Sequence, residues 1–342
     1  MRPAMPPQTH QQTLDIALIG SGARGMAWLA TLLTPEAAAL GLRLAGVCDL
    51  NPATGDEPLL ALASGVCMTG HDLTATLARQ PRIVIDATSS VTRLAVMRTA
   101  MQSGAHVLCD PPLALDDATA LTLIGAAKRW PGRLAVAYLS RRRAGLSQMR
   151  DLVALKQLGR PLALDVDLPL GEDAGLQALL RGPMVDAFDA GRAILGADGA
   201  TVSCVGPPCR AVFEMASAAR LTIAMRRGPE HWRLEMEGGV VTCGDMGPAI
   251  LQGGAVLDGP LQAEGQLGAL TDFVEAVRTG RVPHCGPRSA ASSLAMALAA
   301  HASALRGGRI ETVLHLGLMG DASGSPASST PRAGANLIMG AP

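Results

Sequence analysis

The chain has 342 residues, long enough for two domains. Its 29 basic and 29 acidic side chains cancel, which argues against a nucleic-acid partner, and no apolar run reaches the roughly 18 residues that a membrane span needs. Hydrophobic residues make up 48% and aromatic residues 2%, so aliphatic side chains must fill the core and a wide aromatic platform for sugars or bases is not expected.

Residues 1–12 are polar and proline-bearing and lack the charged-then-apolar layout of a signal peptide, so they read as a disordered tail on a cytoplasmic protein. Short apolar runs then alternate with amphipathic segments: Leu14 to Ile19, Leu42 to Cys48, Ile83 to Ala87, His106 to Cys109 and Leu134 to Tyr138. Between them, Leu94, Met97 and Met101 fall on one helical face. This alternation predicts an α/β domain over 13–138 with a parallel sheet covered on both sides.

Gly20-Ser21-Gly22-Ala23-Arg24-Gly25 directly follows the first run and opens a helical segment. In that context the pattern is a dinucleotide signature. Gly20 suits the tight turn, Gly22 the approach of a pyrophosphate and Gly25 close helix–strand packing, with Ala23 and Arg24 at the helix N-terminus. Asp49 ends the second run. Its carboxylate suits a ribose diol and opposes a 2′-phosphate, which favours NAD(H) over NADP(H); the other reading is a turn cap, helped by Asn51-Pro52. Thr88 and Ser89 follow the third run, at the strand end where a cofactor lies in such sheets.

Past Tyr138 the period changes to two. Leu162, Leu164, Val166 and Leu168 alternate with Ala163, Asp165 and Asp167, and Leu221, Ile223 and Met225 do likewise. Trp232, Leu234 and Met236 alternate with Arg233 and Glu235, and Gly238-Gly239 leads into Val240 to Cys243 as a hairpin partner. An open, largely antiparallel sheet with one solvent- or partner-facing side is expected over 139–319. Leu270, Phe273, Val274 and Val277 mark one closing helix and Ser289 to Leu305 another, stopped by Gly307-Gly308. Residues 320–342 are rich in Ser, Pro, Gly and Ala and read as a disordered tail. The seven cysteines form no Cys-x-x-Cys pair; they read as buried apolar residues, and no zinc-type cluster or other metal site is predicted.

Together these segments resemble the glucose–fructose oxidoreductase, inositol dehydrogenase and MocA-like family from about Leu14 to Val313. Ile85-Asp86-Ala87-Thr88-Ser89 looks like the family's Ala-Thr-Pro strand end. Ser103 to Ala114 follows at the usual interval, and Arg141 matches the family's arginine after the next strand. Leu158-Gly159-Arg160-Pro161-Leu162 and Thr271 to Val277 resemble later family segments. The resemblance implies a Rossmann NAD-binding domain, with Asp110 beside the cofactor, and a second α/β domain whose sheet often forms a homo-oligomer interface. It also implies hydride transfer between nicotinamide and a hydroxyl or carbonyl carbon of a small sugar- or polyol-like substrate.

Three positions depart from the family pattern. Glu-Lys-Pro becomes Asp110-Pro111-Pro112, so the family's substrate-facing lysine is a proline. The Asp-x-x-x-His-x-x-Asp motif falls on Gly182 to Asp189, with Gly196 fixing the register. Gly182 replaces the first aspartate, Asp186 replaces the histidine, and Asp189 remains. Histidine titrates near about 6.5 and free aspartate near about 3.9, so Asp186 is a weak base unless burial or Asp189 raises it. Asp186, Asp189 and Arg141 are therefore the candidate catalytic residues. Arg141 or its neighbours Arg142 and Arg143 are open to binding an anionic substrate or to lying on the surface, and Arg192 is spaced to pair with Asp189. Two functions follow: an oxidoreductase with altered acid–base residues, or an inactive NAD(H)-binding sensor or assembly protein.

Overall fold

A computed structural model of the chain describes residues 13–51, 61, 63–130, 132–171, 175–244, 247–257 and 265–314. The two expected tails, 1–12 and 320–342, lie outside the described residues. The chain divides into two compact units between Leu108 and Cys109.

The first unit is built on parallel strands. β1 (Leu14–Ile19) pairs in parallel with β2 (Leu42–Cys48) and with β4 (Ile83–Asp86), and β2 pairs with the short β3 (Met68–Gly70). With β5 (His106–Cys109) and β6 (Leu134–Val136) the sheet order is β3-β2-β1-β4-β5-β6. The central strands are near-continuous apolar runs because both faces are covered: Ile16, Leu18, Ile19, Ile83, Val84 and Ile85 have no exposed surface. Helix α1 (Ala23–Leu32) buries Trp28 and Leu29.

Helix α2 (Ser90–Gln102) differs from its expected face. Met97 and Met101 are buried as anticipated, but Leu94 is only half-buried, and Arg93 and Val96 turn inward instead. The face rotates because Arg93 reaches a buried carboxylate, described below.

In the second unit, helix α3 (Asp117–Arg129) starts at Asp116, whose side chain accepts the Thr119 N–H at 2.8 Å. A 3₁₀ turn (Leu139–Arg142) leads into helix α4 (Ala144–Leu155). An eight-stranded sheet follows, built from β7 (Pro161–Pro169), β8 (Gly199–Val205), β9 (Arg210–Met215), β10 (Arg220–Arg226), β11 (His231–Met236), β12 (Gly239–Gly244), β13 (Ile250–Leu251) and β14 (Glu311–Thr312). Their order is β13-β12-β11-β7-β10-β9-β8-β14. β7 and β10 are parallel, and the remaining described pairs are antiparallel.

The period-two pattern sorts the faces of this sheet. Leu164, Val166, Leu221, Ile223, Trp232 and Leu234 are buried; helix α5 (Pro183–Leu195) packs on β7 and β10, and helix α7 (Pro287–Leu305) packs on β8. Close approach of α5 requires Gly191, where a Cβ would stand 2.8 Å from Leu221. Helix α6 (Gly265–Thr279) buries Leu270, Phe273 and Val274. The opposite sheet face is charged: Arg226 pairs with Asp167 at 3.0 Å and Arg233 with Glu235 at 2.9 Å.

Candidate active site

The glycine turn of the first unit is shaped by backbone sterics. Gly20 has φ +96°, and a Cβ there would stand 2.9 Å from the carbonyl of Ala87. A Cβ on Gly25 would fall on the Gly20 carbonyl oxygen, whereas one on Gly22 would meet no atom within 4 Å. Gly22 is the N-cap of α1, and no acidic side chain lies in the first turn to offset the positive helix end. Ala23 and Arg24, the first residues of the helix, are exposed.

Asp49, at the end of β2, braces this turn. Its Oδ2 accepts the Ser21 N–H and the Ser21 hydroxyl, each at 2.6 Å, and its Oδ1 accepts the Asn51 N–H at 2.8 Å. The turn-cap alternative is thus realised in the chain, on the same carboxylate that faces the glycine loop. Ser21 was not singled out from sequence, since it occupies a variable position of the glycine pattern.

At the end of β4, Asp86 is fully buried. Its Oδ1 accepts the Thr88 N–H at 2.9 Å and hydroxyl at 2.6 Å. Arg93 stands 3.8 Å from Oδ2 and donates to the Thr88 carbonyl at 2.7 Å. Burial raises the Asp86 carboxyl above its ordinary range, and Arg93 and Thr88 offset part of that rise. The pair fixes the Thr88 turn, against which Gly20 packs; Ser89 is exposed as the N-cap of α2.

The second unit gathers Arg141, Asp186 and Asp189. Arg141 forks onto Asp189, with Nη2 to Oδ1 at 2.6 Å and Nε to Oδ2, and Nη2 also reaches Ser289 Oγ at 2.8 Å. Asp189 has no exposed surface and accepts the Ser293 hydroxyl at 2.6 Å; Arg192 lies 3.9 Å away. Burial pulls the Arg141 guanidinium down, but the Asp189 carboxylate outweighs it and leaves Arg141 more firmly charged than usual. Its fork is engaged by protein. Arg142 is paired with Asp272 at 2.9 Å and Arg143 with Glu230 at 2.6 Å, Arg143 also lying over Trp232. The arginine run is thus tied into the protein by carboxylates.

Asp186 sits one turn before Asp189, in the first turn of α5, which opens at Gly182 (φ +72°) and Pro183. Its Oδ2 accepts the Ser140 N–H at 3.1 Å and the Ser140 hydroxyl at 2.5 Å. Its Oδ1 is buried and takes no hydrogen bond from a described residue. Burial lifts the carboxyl to about 6; Ser140 pulls it down in part, and the Asp189 charge pushes it further up. Tyr138 lies two residues before Ser140 with its hydroxyl buried, and burial reinforced by Asp189 drives that phenol well above its usual value. Cys285 is pushed up to about 12 by burial and by Asp189.

Asp110 follows β5 and is 4% exposed, next to the buried Pro111, and the Pro111–Pro112 bond is cis. The cysteine expectation is met at six positions, while Cys67 is half-buried. Ser140, Ser289 and Ser293 escaped sequence reasoning. Their only sequence signal is adjacency, since Ser140 immediately precedes the arginine run and the other two lie one turn apart at the start of α7.

No family model matches the chain. It is 28% identical over 202 residues to an inositol 2-dehydrogenase of Streptomyces avermitilis, and the match spans 57% of each sequence. Solved structures share the fold over nearly their full length. A scyllo-inositol dehydrogenase from Lactobacillus casei superposes with a TM-score of 0.74 at 14% identity, covering 89% of this chain and 99% of that one. The WlbA dehydrogenase from Chromobacterium violaceum, solved with NADH and UDP-GlcNAcA, gives 0.75 at 19%, covering 92% and 99%. An oxidoreductase from Agrobacterium radiobacter, solved with NAD+, L-tartaric acid and magnesium, gives 0.74 at 17%, covering 88% and 99%.

Proposed function

On the fold of the glucose–fructose oxidoreductase, inositol dehydrogenase and MocA-like family, which this chain has, we propose an NAD(H)-dependent oxidoreductase acting on a small sugar- or polyol-like alcohol, with Asp186 as proton acceptor. The observation that carries the reading is the glycine turn. Side chains are excluded at Gly20 and Gly25 by backbone, and space is kept at Gly22 before an unneutralised helix N-terminus. Such a cradle fits a pyrophosphate. Gly20, Gly22, Ala23, Arg24, Gly25, Thr88 and Ser89 would hold the dinucleotide. Asp49, already presented to the loop by Ser21, would take the ribose diol and repel a 2′-phosphate.

NAD+ supplies the hydride acceptor. The chain's part is to hold the alcohol and accept its proton. A carboxyl lifted to about 6 is ionised at neutral pH yet basic enough to work, and such general-base help is typically worth about 10²–10⁴-fold. Asp189 and Arg141 hold α5 against the turn that carries Ser140. Pro111 offers no proton, so Asp186 serves without the lysine that the family resemblance implies at that position. The charged outer face of the eight-stranded sheet suits a homo-oligomer interface, and seven free cysteines suit a cytoplasmic setting.

The test is titration of the purified protein with NADH and with NADPH, followed by nicotinamide fluorescence, and then a polyol and sugar screen for NAD+ reduction. Saturable binding with NADH preferred, and turnover of at least one polyol, are expected. No binding of either cofactor overturns the reading.

A further inference from the structure

Asp186 presents a geometric difficulty as a direct base. Its Oδ1 is buried, and its Oδ2 is covered by two donors from Ser140. Ser140 and Asp186 are each half-buried, and the Ser140 hydroxyl is the group that covers Oδ2. The Oγ–Oδ2 distance of 2.5 Å is that of a strong O–H···O⁻ bond. The Ser140 N–H fixes the same oxygen, which holds the hydroxyl and the carboxylate in one mutual orientation.

We infer that Ser140 is a catalytic residue that relays the substrate proton, passing its own hydroxyl proton to Asp186 Oδ2 as it accepts one from the substrate alcohol. The inference rests on the proposed dehydrogenase reading. The substrate O–H breaks and its proton goes to Ser140 Oγ. The Ser140 O–H breaks at the same time and its proton goes to Asp186 Oδ2. The carbinol hydrogen would leave with its bonding pair to bound NAD+ as the C–O bond becomes a carbonyl, and Asp186 would end neutral. Serine begins and ends as a hydroxyl, so no strongly basic alkoxide is needed.

The surroundings support this direction of transfer. Asp189, one turn along α5, repels the Asp186 charge and favours its protonation, while Arg143 attracts that charge and opposes it. Arg141 is committed to Asp189, and Arg143 is paired with Glu230. Burial is the largest influence, and the Ser140 bonds restrain it. The relay partner thus also tunes the acceptor.

Ser140→Ala, Ser140→Thr and Asp186→Asn are compared in the full chain by two readouts. The first is the titration of Asp186 followed by ¹³C NMR of aspartate-labelled protein without substrate, assigned by its disappearance in Asp186→Asn. The second is kcat for NAD+ reduction across pH. Ser140→Ala should move the Asp186 titration up by about one pH unit and lower kcat by about 10²-fold, and Ser140→Thr should restore both. Unchanged kcat in Ser140→Ala, or an Asp186 titration indifferent to it, overturns the relay. A wild-type chain that binds no cofactor while Asp186 still responds to Ser140 overturns the dehydrogenase reading instead.

Discussion

Arg141 and Asp189 meet through a two-point guanidinium–carboxylate contact, with the arginine side chain 12% exposed and the aspartate fully buried. Ser289 and Ser293 add hydroxyls to the same cluster. With its fork committed in this way, Arg141 joins the turn before α4 to α5 and α7. Arg141→Ala or Asp189→Ala leaves an uncompensated buried charge, and each should cost about 3–5 kcal/mol. Urea denaturation checks this, and the Arg141→Met, Asp189→Leu double variant should recover most of the loss. A single variant of wild-type stability that had merely lost substrate affinity would return Arg141 to the role of anion binder.

Asp186 gives two opposite pH signatures. Its carboxyl is raised from 3.8 to about 6 in the folded chain, so the native state holds the proton more tightly than the unfolded state between those values. Its contribution to stability is therefore greatest below about pH 4 and is lost as pH rises through about 6. Asp186→Asn should remove that slope from urea midpoints measured across pH. Catalysis runs the other way: kcat/KM for alcohol oxidation should rise with pH through about 6 as the acceptor ionises, and Asp186→Ala should lower it by about 10²–10⁴-fold.

Asp86 and Arg93 form a second buried pair, with side chains 0% and 3% exposed. Arg93→Met strands the Asp86 carboxylate, which should cost about 3–5 kcal/mol, and the added Asp86→Leu change should return much of it. The Thr88 turn loses its Arg93 bond in the single variant and its Asp86 bonds as well in the double variant. NADH affinity, read by fluorescence, should therefore stay weakened in the double variant even where stability is regained.

Much of the fold lies in local pattern. The Leu14 to Ile19 run with Gly20 after it, and the alternation Trp232, Leu234, Met236, each carry their own period. The strand Met68–Gly70 is not legible, because three residues with one apolar side chain have no period. The site is less legible because its bonds are long-range. Ser21 meets Asp49 across 28 residues and Ser140 meets Asp186 across 46, and nothing in either segment encodes its partner. Arg93 is likewise hidden: Leu94, Met97 and Met101 mark the helical face in the sequence, whereas the buried carboxylate of Asp86 turns the helix by one position.

Gly22 and Gly25 separate cofactor binding from folding. A Cβ at Gly25 collides with the Gly20 carbonyl, and backbone cannot step aside cheaply, so Gly25→Ala should lower stability and NADH affinity together. At Gly22 the backbone is extended, φ −62° and ψ −178°, and a Cβ would meet no protein atom. Gly22→Ala should therefore fold with a urea midpoint close to wild type. Its methyl group would nevertheless occupy the approach to the α1 N-terminus, and NADH affinity should fall by about tenfold or more, as for the loss of one or two charge-assisted hydrogen bonds. Equal affinity in Gly22→Ala and wild type would mean that no phosphate passes over this turn, and the dinucleotide reading of the first unit would fall with it.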